Sequence, residues 1–217
     1  MPQMYIVCIL LLLILSCVPW IELINCLNWI ELTYAVKALS EQALKAYNSL
    51  LSVFTRIKLD IKTKLSLFDS MVVPILLYGS EVWGIYENKE IDKLHIKFCK
   101  RILGVRQQTP NIAVLGELGR FPLSVISKQP SIIYWSKIMK KTNSIEIKVF
   151  NEQRLLNNNN IWAGKMLMFL NSLGFGDVWY HFNTNINYSY IFKQWFVLTI
   201  FANMEYFCTK YAKARLL

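Results

Sequence analysis

The sequence predicts an all-α protein, an irregular helical bundle preceded by an apolar N-terminal helix. Three observations carry that expectation. Apolar residues recur every three or four positions through most of the chain, the period of a helix that buries one stripe. Only 8 of the 217 residues are glycine, and no Asn-Gly or Asp-Gly pair marks a hairpin turn. Hydrophobic residues make up 54% and charged residues 18%. That composition excludes intrinsic disorder and demands a buried core, a membrane face, or both. The length accommodates one ordinary domain with an appendage, but not a two-lobed enzyme.

The chain divides into an apolar leader (1–30), a basic helical region (31–156) and a C-terminal helical region (157–217). No charge occurs before Glu22, and Ile6–Ile14 reads IVCILLLLI. Met4–Ile21 just reaches the roughly 17–25 apolar residues that span a bilayer, and Pro19, Glu22, Asn25 and Asn28 close the run. No Lys or Arg precedes it and no small-x-small cleavage site follows, so it lacks the marks of a signal peptide. Two readings stay open: a membrane anchor through residues 4–21, and a leader or buried helix that touches no membrane. If the segment inserts, Lys37 and Lys45 lie after it and place the body in the cytosol. The five cysteines, at 8, 17, 26, 99 and 208, form no C-x-x-C pair and point to reduced thiols inside the cell.

Ala35–Ile57 carries Leu39, Ala43, Leu44, Tyr47, Leu50, Leu51 and Phe54 at helical spacing. Ile61–Trp83 is apolar nearly all round and reads as a central helix kinked at Pro74, which lacks a backbone donor. Glu87–Gly104 has Asn88 as its cap and Gly104 as its stop. Thr109-Pro110 starts a short helix that Gly116 and Gly119 end. Phe121-Pro122 opens another toward Lys141, broken or bent at Pro130. Asn157–Asn160 is the linker, after which Ile161–Leu173 and Tyr188–Ala214 complete the helices.

The net charge is +10, and 17 Lys/Arg against 8 Asp/Glu fall between residues 37 and 141. Such an excess suits an anionic partner, nucleic acid or a lipid headgroup surface. At 100° per residue, Ile91, Leu94, His95, Phe98 and Ile102 share one face of the Glu87–Gly104 helix. Lys93, Lys97, Lys100 and Arg101 line the opposite side. Cations spaced in this way can follow a phosphate backbone, releasing counterions as they bind. A merely solvated face is the plain alternative. Arg106, Arg120 and Lys128 nearby, with Tyr134 and Trp135 as stacking surfaces, favour RNA or DNA.

No catalytic or metal-binding set is expected, and no cofactor motif is present. The four aspartates, Asp60, Asp69, Asp92 and Asp177, include no close pair of the kind that holds two catalytic metal ions. Glu90 and Asp92 point apart on a helix and, with Glu87, complement its positive end. His95 and Cys99 are four apart but lack further ligands at suitable spacing, so both read as core residues. With His181 as the only other histidine, a nucleophile–His centre has weak support.

Three ordered strings remain: LSLFDSMVVPILLYGSEVWG at 65–84, IDKLHIKFCKRILGVRQQTPN at 91–111, and AVLGELGRFPLSV at 113–125. Together they resemble the C-terminal, post-thumb region of reverse transcriptases from non-LTR (LINE-type) retrotransposons. The matching elements are Pro74, Tyr78, Gly79, Glu81 and Trp83, then Lys97–Lys100, Thr109–Asn111 and Gly116–Pro122. The likeness extends more loosely over 38–141 and weakly beyond. It implies a helical tail that holds template RNA or target DNA beside a polymerase lobe. The family's aromatic-Ala-Asp-Asp palm signature is absent, and the apolar leader stands where the palm would lie. The resemblance therefore implies a truncated, non-catalytic copy whose missing partner is that lobe. Within the motif, Tyr78 and Trp83 are expected to flank the Pro74 bend, and Gly79 and Gly84 to turn the chain. Glu81 is expected to pair with Arg101 or Arg120 in the core.

Overall fold

The computed structural model describes residues 29–194, apart from Glu87 and Asn157. The expected leader helix over 4–21 and the end of the last helix beyond 194 lie outside the described residues. Among the described residues the chain is helices and turns with no strand, an all-α bundle.

Helix α1 (Trp29–Arg56) is the longest, at 28 residues, and buries Leu32, Val36, Ala43, Tyr47 and Leu50 along one stripe. Asp60 then caps α2 (Ile61–Met71) by accepting a hydrogen bond from the Thr63 backbone N–H at 3.2 Å. The single kinked helix expected over Ile61–Trp83 is instead three: α2, α3 (Val73–Leu76) and α4 (Ser80–Trp83). Pro74 falls in the first turn of α3, where a missing N–H costs nothing, so it starts a helix rather than bending one. Gly79, at φ 67°, makes the turn into α4.

Helix α5 (Glu90–Leu103) begins where Asn88 Oδ1 accepts from the Glu90 N–H at 2.9 Å and ends at Gly104, φ 65°. Pro110 leads into α6 (Asn111–Glu117). Beyond Pro122 come α7 (Leu123–Ile126) and α8 (Lys128–Met139). The break expected at Pro130 falls at Ser127, because Pro130 occupies the first turn of α8 and needs no donor there. Ser144 caps α9 (Ile145–Leu155), which none of the expected helices covers. Then follow α10 (Trp162–Ser172), α11 (Gly176–Tyr180) and a helical segment over 188–194.

Two aromatic centres hold these elements. Between α1, α2 and α5, the Phe68 and Phe98 rings stack with centroids 3.8 Å apart, and Tyr47 meets both edge-on. Farther along, Trp135, Phe150, Trp162, Trp179 and Phe192 are buried among α8–α11 and the 188–194 segment. Helix α4 packs on α8 between the two centres. Gly84 permits this packing by close approach rather than by turning the chain. Its φ is −63°, and a Cβ there would fall 1.9 Å from the Ser127 carbonyl oxygen. Alongside, the Ser131 hydroxyl donates to the Ser80 carbonyl at 2.6 Å.

Candidate nucleic-acid interface

Helix α5 is amphipathic as its periodicity requires. Ile91, Leu94, His95, Phe98 and Cys99 are buried against α1, α2 and the following loop. Lys93, Lys97 and Arg101 are exposed on the other side at four-residue intervals, about 6 Å of helix rise apiece. Lys93 bonds Glu90 in an exposed pair one turn back, a contact worth little in water. Arg101 reaches toward the Tyr47 hydroxyl, whose pKa is raised by burial in spite of that neighbouring charge. Arg106 is exposed on the loop after Gly104.

Two of the cations expected on this surface turn inward. Lys100 is 6% exposed, and its Nζ donates to the Gln107 carbonyl at 2.6 Å, tying the loop back onto the helix. A wheel drawn on one helix cannot register that fold-back. Arg120 is committed more completely. Its guanidinium forms a two-pronged ion pair with Asp69, and its Nε donates to His95 Nε2 at 3.0 Å. The expected partner, Glu81, is itself exposed on α4 and takes no part in this pair. Asp69 wins because α2 brings it beside the end of α6, whereas α4 leads away toward α8.

The Arg120 bond fixes the chemistry of His95. Since Nε2 accepts, the ring is neutral with its proton on Nδ1. Burial, reinforced by the Arg120 charge, pulls its pKa down to about 3. The ring stacks on Phe68 with centroids 6.0 Å apart. Cys99 is fully buried, and burial pushes its thiol up to about 11, so it stays a protonated, inert thiol. The core placement expected for both residues is what is seen. Among the described residues, no three His, Cys, Asp or Glu side chains gather as a metal-ion set.

The aspartates are accounted for one by one. Asp60 is a cap and Asp69 holds Arg120. Asp92 accepts from both the backbone N–H and the hydroxyl of Ser124, anchoring α7 to α5. It therefore does more than complement a helix end. Asp177 is exposed in the first turn of α11. Trp135 is wholly buried, so it offers no stacking surface, and Tyr134 is half-buried against Trp162. Burial pushes the Tyr134 hydroxyl up to about 12, with help from Glu146 and Glu81. Lys128 lies over the Phe169 ring at 5.6 Å.

Beside the α5 row lies an open groove lined by Lys89, Lys93, Ile96, Lys97, Gln107 and Asn111, with Asp92 at one wall. Sequence reasoning missed Lys89, Gln107 and Asn111. Extending the wheel one turn before Lys93 would have found Lys89. Gln107 and Asn111 arrive through the Lys100 tether, which has no linear signature. Taken together, these features define an all-α protein with a cationic helix face above an aromatic core. Comparison with known proteins finds no matching family model, no matching curated protein and no matching solved structure. No helix among the described residues is long and apolar enough to cross a membrane.

Proposed function

We propose that this chain grips the phosphate backbone of RNA or DNA through the outer face of α5. It would serve as a non-catalytic helical region of a retrotransposon-type reverse transcriptase, beside a separate polymerase lobe. The observation that carries this reading is the exposed row Lys93, Lys97 and Arg101, continued by Arg106, on a helix whose other face is locked in the core. The helix backbone that carries the row is fixed in space before any ligand arrives, so little backbone freedom is lost on binding. The three ordered motifs over 65–125 add the family resemblance.

Fluorescence anisotropy of the full chain with a labelled duplex, titrated between 50 and 200 mM salt, tests the reading. Four phosphate contacts give a slope of log K against log salt of about −3.6 on B-DNA and about −2.8 on a single strand. Charge reversal at Lys93, Lys97 and Arg101 together is expected to flatten the line. A slope near zero in the unaltered chain overturns the proposal.

A further inference from the structure

A second concavity lies away from α5, between α9, α10 and α11. Its lining includes Asn151, Arg154, Asn159, Leu167, Trp179 and Tyr180. Asn151 and Arg154 lie three apart on α9, hence on one face. The walls are built rather than incidental. Gln153 Oε1 accepts from the Ala163 backbone N–H at 3.3 Å, which binds α9 to the start of α10. Gly164 lets the 158–160 turn press against α10, since a Cβ there would fall 2.2 Å from the Asn158 carbonyl oxygen.

The ring stack behind this pocket determines what it can take. Trp135 and Trp179 lie nearly parallel, 7° apart with centroids 6.0 Å apart, and the Arg154 guanidinium sits 5.2 Å from the Trp179 ring centre. Trp179 therefore contacts both the buried Trp135 ring and the Arg154 guanidinium. Tyr180 stands beside it with 66% of its surface exposed. An exposed tyrosine, a guanidinium backed by an aromatic ring, and amides with donors and acceptors match the needs of one ligand class. That class is a planar heterocycle whose edge carries both donors and acceptors. An aliphatic or purely anionic ligand would leave the amides or the ring face unused.

We infer that the α9–α11 pocket receives an unpaired nucleobase of an RNA or DNA strand. Tyr180 and Arg154 would stack on it, and Asn151 and Asn159 would bond its edge. The ligand class rests on the nucleic-acid reading above, but the pocket uses residues wholly separate from the α5 row.

The test compares a 12-nucleotide single strand with an abasic strand of equal length, using the full chain. Both strands carry the same phosphates, so the α5 row contributes equally to each. The base-bearing strand is expected to bind on the order of tenfold more tightly, as one stacked base warrants. Tyr180→Ala, an exposed substitution, is expected to abolish that ratio while the salt slope on the abasic strand stays unchanged. Asn159→Ala is expected to reduce it. Equal binding of the two strands by the unaltered chain overturns the pocket proposal while leaving the α5 reading intact. A flat salt dependence with no binding of the abasic strand overturns the α5 reading, and any residual base-dependent binding still supports the pocket.

Discussion

Arg120→Met separates a structural cation from a ligand-binding one. The Arg120 side chain is 14% exposed and that of Asp69 48%. The ion pair alone is therefore half in water, and its loss costs about 1 kcal/mol or less. The greater cost falls on His95. With Nε removed, its buried Nε2 has no donor, a penalty of about 1–3 kcal/mol. Methionine retains most of the apolar stem, so little packing is lost. The sum is about 1–4 kcal/mol of lost stability, and for a chain of this size each kcal/mol moves Tm by about 2–4 °C. Urea denaturation followed by tryptophan fluorescence measures the first effect, and salt-dependent anisotropy the second. Stability is expected to fall while the salt slope holds. Unchanged stability together with a slope shallower by about 0.9 would place Arg120 on the phosphates and refute the reasoning. Glu81→Ala is the companion measurement, expected within about 0.5 kcal/mol of the unaltered chain because the residue is exposed.

Other expectations follow from neighbouring contacts. The folded pKa of His95 is about 3, below its unfolded value of 6.5, so the unfolded chain binds the extra proton between those limits. Stability therefore falls as pH drops from about 6.5 toward 3, by up to about 1.4 kcal/mol per unit, and urea midpoints for His95→Phe are expected to be flatter between pH 6.5 and 5. Gly84→Ala drives a Cβ against two carbonyl oxygens and is expected to destabilise by about 1–3 kcal/mol in the same assay. Lys97→Met is expected to reduce the salt slope by about 0.9, whereas Lys100→Met leaves it alone, since the Lys100 ammonium is spent on Gln107.

What the sequence disclosed and what it withheld divide along range. Periodicity located α5 and α10 within three residues at each end, and the C-terminal end of α1 within one, because each buries a regular stripe; the start of α1 lies six residues before the expected Ala35. A local stop such as Gly104 was equally legible, whereas the start is displaced: Lys89 occupies the cap position and Asn88 reaches the Glu90 N–H from one residue earlier. A proline in an apolar run has two outcomes, a kink or a new start, and here Val72 closes α2 so that Pro74 falls in the first turn of α3. Helix α9 was missed because its own pattern is weakly amphipathic, and Ser144 is a modest cap. The inward turn of Lys100 and Arg120 was beyond reach. Both depend on partners, Gln107, Asp69 and His95, that tertiary folding brings up, 51 residues away in the case of Asp69.

Those two inward cations bear on how net charge is to be read. A formal +10 suggests a broadly positive surface, yet Arg120 is paired with Asp69, and Lys100, though it keeps its charge, has its ammonium held on the Gln107 carbonyl and away from a phosphate. Their burial has a structural return. Lys100 shapes the loop that carries Arg106, and Arg120 joins α2, α5 and the end of α6 through one guanidinium. The exposed row consequently rests on a helix pinned at several points by charge-assisted bonds. Asp92 adds another through Ser124. Screening weakens exposed contacts far more than the part-buried Lys100–Gln107, Arg120–His95 and Asp92–Ser124 bonds. Salt high enough to strip a nucleic acid from α5 is thus expected to leave the helix and its Lys93–Lys97–Arg101 row in place. Binding and folding then separate on a salt axis, which allows the phosphate contacts to be counted without confusing their loss with unfolding.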